Sequence, residues 1–114
     1  MANNSPALDS AFHALADPTR RAVIGRLMQG PAPITELAGP FSIGLPAFLK
    51  HIKVLEESGW IRSEKRGRVR TCQILPESLR AAEDWLAQQR AVWEGRSSRL
   101  ADYVETHLAP KDQS

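Results

Sequence analysis

Seven basic side chains crowd into the middle of this 114-residue chain. Lys50, Lys53, Arg62, Lys65, Arg66, Arg68 and Arg70 fall between residues 47 and 75, against Glu56, Glu57 and Glu64. Cations at that density attract phosphate groups. The flanks differ. Residues 1–46 hold three basic and three acidic groups, and residues 76–114 hold five basic and seven acidic. The formal net charge of +2 therefore hides a local basic patch. A merely solvated charged face is the competing reading, and the elements that carry the patch decide between the two.

Other chemistry finds little support. There is no Gly-x-Ser-x-Gly, phosphate loop or paired-carboxylate motif, so an enzyme is not expected. A single cysteine, Cys72, can form neither an internal disulfide nor a Cys-rich metal site. It shares a strand face with Ile74, so a buried, inert thiol is expected rather than a redox sensor. His13, His51 and His107 have no carboxylate or thiol at ligand spacing, so neither a metal nor a cofactor is expected. The first twenty residues lack a basic start followed by an apolar run, and no stretch approaches the roughly 20 apolar residues of a membrane span. Those features point to a cytoplasmic protein without membrane contact. At 42% hydrophobic and 25% charged, the composition is that of an ordinary globular domain, and one domain is expected over residues 1–114.

The elements that position the patch follow from periodicity and punctuation. Residues 1–6 are expected to form a frayed tail. Leu8, Ala11, Phe12 and Leu15 give a helix over about 7–16. Asp17-Pro18 restarts the chain as cap and first helical residue. The next helix carries Ala22, Val23, Leu27 and Met28 inward and ends by Gly30. Thr35 is expected to cap a short helix containing Leu37 and Ala38, stopped by Gly39-Pro40. Leu45, Phe48, Leu49, Ile52 and Leu55 give the following helix its apolar face, with Gly59 after it. Alternation over 61–65 and 69–74 around Arg66-Gly67-Arg68 predicts a hairpin. Pro76 opens a helical segment, 77–107, in which Leu79, Leu86, Trp93 and Leu100 recur every seven residues. Its companion positions are mostly polar, so it is no leucine zipper, but Trp85 and Val92 widen the stripe. That stripe is broader than a monomer of this size needs, and Trp85 and Trp93 are expected in a core or dimer interface.

Short helix, tight turn, longer helix and basic hairpin is the order of a winged helix-turn-helix. The longer helix of the pair (35–58) can enter a DNA major groove, and the hairpin (61–75) can reach the neighbouring backbone. The basic patch falls on both elements, which favours double-stranded DNA as partner. A winged helix that binds a protein and does not read DNA is the alternative.

Phe12-His-Ala-Leu-Ala-Asp-Pro-Thr-Arg-Arg21, Leu45-Pro-Ala, Lys50-His-Ile-Lys-Val-Leu-Glu-Glu57, Gly59 and Gly67-Arg-Val-Arg70 together resemble the ArsR (arsenic-repressor-like) family, over about Leu8 to Val104. The resemblance implies a homodimeric winged-helix transcriptional regulator, usually a repressor, with the terminal helices forming the dimer and 45–58 as recognition helix. Two departures stand out. Many relatives carry a small polar residue where Gly44 stands and Val-Ser where Phe48-Leu49 stands, so two hydroxyls are missing. The family's thiolate sensor would fall near Glu36-Leu37-Ala38-Gly39, where there is no cysteine. Its histidine site would need a pair on the last helix, which offers His107 near its end.

The expected architecture is therefore mainly α with a two-stranded β-wing, dimeric through its terminal helices. The expected DNA-binding residues are Pro46, Ala47, Lys50, His51, Lys53, Lys65, Arg66, Arg68 and Arg70. Arg70 shares a face with Cys72, so it can pack partly inward, and His51 can equally pack or cap within the domain. The expected dimer contacts are Leu8, Phe12, Leu86, Trp93, Leu100 and Tyr103. A nucleoid-associated repressor on a pseudo-palindromic operator follows, with any small-molecule effector unidentified.

Overall fold

The computed structural model describes residues 6–107. The expected tail over 1–5 lies outside them, and Pro6 already belongs to the first helix. Five helices and a small sheet follow in the order α1 (Pro6–Leu15), α2 (Pro18–Leu27), β1 (Ala32–Pro33), α3 (Ile34–Ala38), α4 (Leu45–Glu57), β2 (Ile61–Arg66), β3 (Val69–Ile74) and α5 (Pro76–His107) among the described residues. The chain forms two compact units, one up to Ala82 and one from Glu83 onward.

In the first unit, α2 starts where Asp17-Pro18 predicts. Asp17 has extended backbone and its carboxylate accepts the Arg20 N–H at 3.0 Å, satisfying one orphan donor of the helix start. The core gathers Ala11 and Ala14 of α1, Val23, Ile24 and Leu27 of α2, Leu37 of α3, Phe48, Ile52 and Leu55 of α4, and Ile61 and Cys72 of the sheet. Trp60 joins them at 1% exposure. Its indole N–H donates to the Ala11 carbonyl at 3.0 Å, so the root of the hairpin is tied to α1. The Leu75 N–H donates to the Trp60 carbonyl and closes the hairpin's base.

Several inward assignments need correction. Ala22 and Met28 are exposed on α2, where Val23, Ile24 and Leu27 already fill the buried face. Thr35 caps nothing: α3 begins at Ile34 with Pro33 as its cap residue and no side-chain bond, because Ala32–Pro33 is held as a strand. That strand is an addition to the expected wing. β1 pairs antiparallel with β3 (Ala32↔Cys72, Pro33↔Thr71), giving the strand order β1-β3-β2. Pro33 lacks an N–H, which an edge strand tolerates.

The hairpin register, Ile61↔Ile74 to Arg66↔Val69, leaves Gly67-Arg68 as a two-residue turn. Gly67 has φ +62° and no non-glycine residue has positive φ among the described residues, so Gly67 occupies the first central position of a type II′ turn. In the second unit, α5 continues from Glu83 to His107. There Leu86, Val92, Trp93, Leu100, Tyr103 and Val104 are all exposed. The Tyr103 and His107 rings stack at 4.3 Å, and His107 Nδ1 lies 3.1 Å from the Tyr103 carbonyl, which gives His107 a local structural role.

Candidate DNA interface

Packing divides α4 into two faces. Phe48, Ile52 and Leu55 turn into the core at 0–2% exposure. Their i, i+4, i+7 spacing completes a buried stripe by itself. Leu45 and Leu49, assigned to the same face from the sequence, are instead 53% and 41% exposed. At about 100° per residue, Leu49 lies roughly a quarter-turn from the middle of the buried stripe. Pro46, Ala47, Lys50 and Lys53 are exposed too. The outward face of α4 thus joins an apolar half, Leu45 to Leu49, to a cationic half, Lys50 to Lys53.

His51 lies on the opposite flank of α4, turned toward the α1–α2 corner. The Arg20 guanidinium donates to the Ala14 carbonyl at 2.9 Å and to the His13 carbonyl at 3.1 Å, and its Nη1 lies 3.3 Å from His51 Nδ1. Asp17 Oδ2 is 3.7 Å from the same nitrogen. The Arg20 backbone N–H, opposed by some desolvation and helped by His51 and Arg20 charge, holds the Asp17 carboxyl below its ordinary pKa. The His51 ring is thus held between the Arg20 guanidinium and the Asp17 carboxylate. These contacts give His51 a packing role, in which its ring helps seat α4 on the corner.

The wing explains how one hairpin serves core and surface. Paired residues share a face. Ile61, Ser63, Cys72 and Ile74 lie on the inner face, and Lys65 and Arg70 continue that face toward the tip, where both are exposed. Arg62, Glu64, Arg66, Thr71 and Gln73 lie on the outer face. Arg70 does not pack inward. Its Nη1 donates to Ser63 Oγ at 2.9 Å, and Ser63 Oγ donates to Glu56 Oε2 on α4 at 2.6 Å. This chain braces the wing against the helix. Arg66 turns to the outer face and donates from Nε to Glu64 Oε1 at 3.3 Å, which neutralises part of its charge.

An open depression of about 320 Å³ lies where these elements meet, lined by Leu49 of α4, Ile34 and Thr35 of α3, and Lys65, Arg68 and Arg70 of the wing. Three cations and an exposed leucine share one concavity. Cys72, buried at 0% exposure, takes no part in it. Burial first, then the Glu56 carboxylate, pushes its thiol up to about 11 against the opposing pull of Arg70. Among the described residues no three His, Cys, Asp or Glu side chains gather into a metal-holding group, and no helix is long and apolar enough to cross a membrane. Of the expected dimer contacts, Leu86, Trp93, Leu100 and Tyr103 are exposed, Phe12 is half-buried and Leu8 is buried.

Sequence reasoning missed Arg20, Trp60 and the outward Leu45 and Leu49. The signal for the leucines was present: Phe48, Ile52 and Leu55 already supply a full core stripe, leaving the other two surplus.

Helix, turn, helix and basic wing define a winged helix-turn-helix DNA-binding protein. A helix-turn-helix domain family matches residues 15–64. The HTH-type transcriptional regulator Rv2034 of Mycobacterium tuberculosis is 40% identical over 73 residues, 64% of this chain and 68% of that protein. The transcriptional repressor SdpR of Bacillus subtilis is 24% identical over 79 residues, 69% of this chain and 88% of that one. A crystal structure of an ArsR family transcriptional regulator is 60% identical, covers 77% of this chain and 91% of its own, and superposes with a TM-score of 0.75. A homodimeric winged helix-turn-helix DNA-binding domain from Mycobacterium bovis shares the fold at 19% identity and TM-score 0.59, over 91% of this chain and 87% of its own. This chain belongs to the ArsR family of winged helix-turn-helix transcriptional regulators.

Proposed function

We propose that the protein is a homodimeric repressor that reads a pseudo-palindromic operator through α4 and grips the flanking phosphates with its wing. The carrying observation is the shared depression where Leu49 of α4 meets Lys65, Arg68 and Arg70 of the wing, with Lys50 and Lys53 on the adjoining outward face of α4. In this reading Pro46, Ala47 and Lys50 meet base edges. Lys53, Lys65, Arg68 and Arg70 meet phosphates, Arg66 contributes less because of Glu64, and His51 supports from behind.

The exposed apolar residues of α5 from Leu86 to Val104 favour a partner helix, and a second copy supplies one by two-fold symmetry. Repression is favoured by the likeness to SdpR, dimerisation by the M. bovis domain. The protein acts in the cytoplasm at the nucleoid, without catalysis, metal or cofactor, and its effector is a small molecule, a partner protein or a change in its own concentration.

Selection from a random-sequence duplex library tests this reading, together with light scattering at micromolar concentration. Enriched sequences with two-fold related half-sites and a dimer mass are expected. A monomer, or binding with no sequence enriched, would overturn it. Trp93→Glu with Leu100→Glu should abolish the dimer and tight DNA binding together.

A further inference from the structure

The outward face of α4 is unusual for a surface meant to read polar base edges. From Ile43 to Leu49 the chain reads Ile-Gly-Leu-Pro-Ala-Phe-Leu, and no side chain in that run can donate or accept a hydrogen bond. Ile43, Leu45 and Leu49 are 41%, 53% and 41% exposed, while Phe48 alone turns fully inward. In a helix-turn-helix the N-terminal part of the recognition helix lies nearest the base edges. Guanine, adenine and cytosine present donors and acceptors in the major groove; thymine also presents a C5-methyl group. A run of aliphatic side chains cannot supply bidentate readout, and the methyl is the base-edge feature that it complements.

We propose that Ile43, Leu45 and Leu49 read thymine, packing on C5-methyl groups in the major groove while Lys50, Lys53 and the wing cations hold the adjoining phosphates. This rests on the reading of α4 as a DNA-recognition helix and names what that helix recognises. The surroundings favour DNA over a protein as the cover for these leucines. Leu49 shares its depression with Lys65, Arg68 and Arg70, and Lys50 follows it directly in sequence. Apolar contacts beside several exposed cations suit a methyl-bearing groove bordered by phosphates. The row also places the selectivity: Leu45 and Leu49, one turn apart, meet successive positions along the groove, and Ile43 extends the row beyond the helix start at Leu45.

Deoxyuridine differs from thymidine only in lacking that methyl. Duplexes enriched from the random library are remade with deoxyuridine at one thymine at a time, and affinity is read by fluorescence anisotropy. At one to three positions per half-site, binding should weaken roughly fourfold for each methyl removed, the value of one buried apolar carbon group. Leu45→Ala and Leu49→Ala, both at exposed positions, should keep the native circular dichroism spectrum and each reduce the penalty at one position to near unity. Enriched sites without thymine in the half-sites would overturn the proposal. So would indifference to deoxyuridine at every position, or penalties that the leucine variants leave intact. Any of these with an enriched site still bound would leave the DNA-reading function standing, whereas failure to enrich any sequence would remove that function itself. Leucine variants with unchanged DNA affinity and selectivity would place the row outside the DNA interface and leave a protein partner as its cover.

Discussion

Replacing Arg20 by alanine should loosen the seat of the recognition helix without touching DNA directly. The guanidinium makes three contacts, and they are unequal. Its bond to the Ala14 carbonyl, 2.9 Å and partly buried, has no ready substitute. The bond to the His13 carbonyl is exposed, so water replaces it, and the His51 contact is long at 3.3 Å. A hydrogen bond from a charged donor contributes about 1.5–3 kcal/mol, so the first contact dominates and the total loss should be about 2–3 kcal/mol. For a domain of this size that corresponds to a fall in Tm of about 8–12 °C. Thermal unfolding followed by circular dichroism measures it, with Arg20→Lys recovering only part because an ammonium cannot span the same carbonyls in a fork. Well below Tm, DNA affinity should stay within about tenfold of wild type, since Phe48, Ile52 and Leu55 still hold α4 in the core. A fall in Tm below about 4 °C would mean that packing alone holds the corner. A larger loss of DNA affinity at unchanged Tm would make Arg20 a DNA contact, contrary to the geometry.

The folded-state pKa of Asp17 is depressed, so its stabilising charge is present above the ordinary carboxylate range and lost as pH falls through the depressed value: wild type should exceed Asp17→Asn in denaturant stability above about pH 4, and the gap should close on further acidification. Asp17→Ala, which also loses the cap oxygen, should cost about 1 kcal/mol at neutral pH. Cys72, with its thiol near 11, is about one-thousandth ionised at pH 8 and should resist a thiol reagent until the protein is unfolded; rapid native labelling would contradict its burial. Arg68→Ala should flatten the slope of log affinity against log salt by about one for each phosphate no longer neutralised, and Arg66→Ala by less, because Glu64 already pairs it.

Local chemistry made much of this fold readable in advance. Asp17-Pro18 marks the start of α2 because cap and ring act within one turn, and Gly67 marks the hairpin bend because the bend needs a positive φ. Long-range pairing hid the rest. β1 is two residues long and exists through its register with Thr71 and Cys72, 38 and 40 positions along the chain from their partners, so no local pattern announces it. Trp60 sits between Gly59 and Ile61 without periodic neighbours, and its burial depends on the Ala11 carbonyl in α1. The basic residues of the candidate interface were legible as a cluster, but their sorting onto the two wing faces follows from the pairing register. His51 follows Lys50 in sequence, but one residue further around the helix turns it toward Asp17 and Arg20, which the local pattern did not announce.

Whether α4 and the wing form one DNA-binding surface can be read from backbone amide NMR shifts, recorded while a library-enriched duplex is titrated into the labelled protein. Large shifts are expected at residues 43–53 and 65–70, with those of the α5 stripe from Leu86 to Val104 nearly unmoved. Shifts centred on α5, or none in α4 at a saturating duplex concentration, would contradict a shared surface.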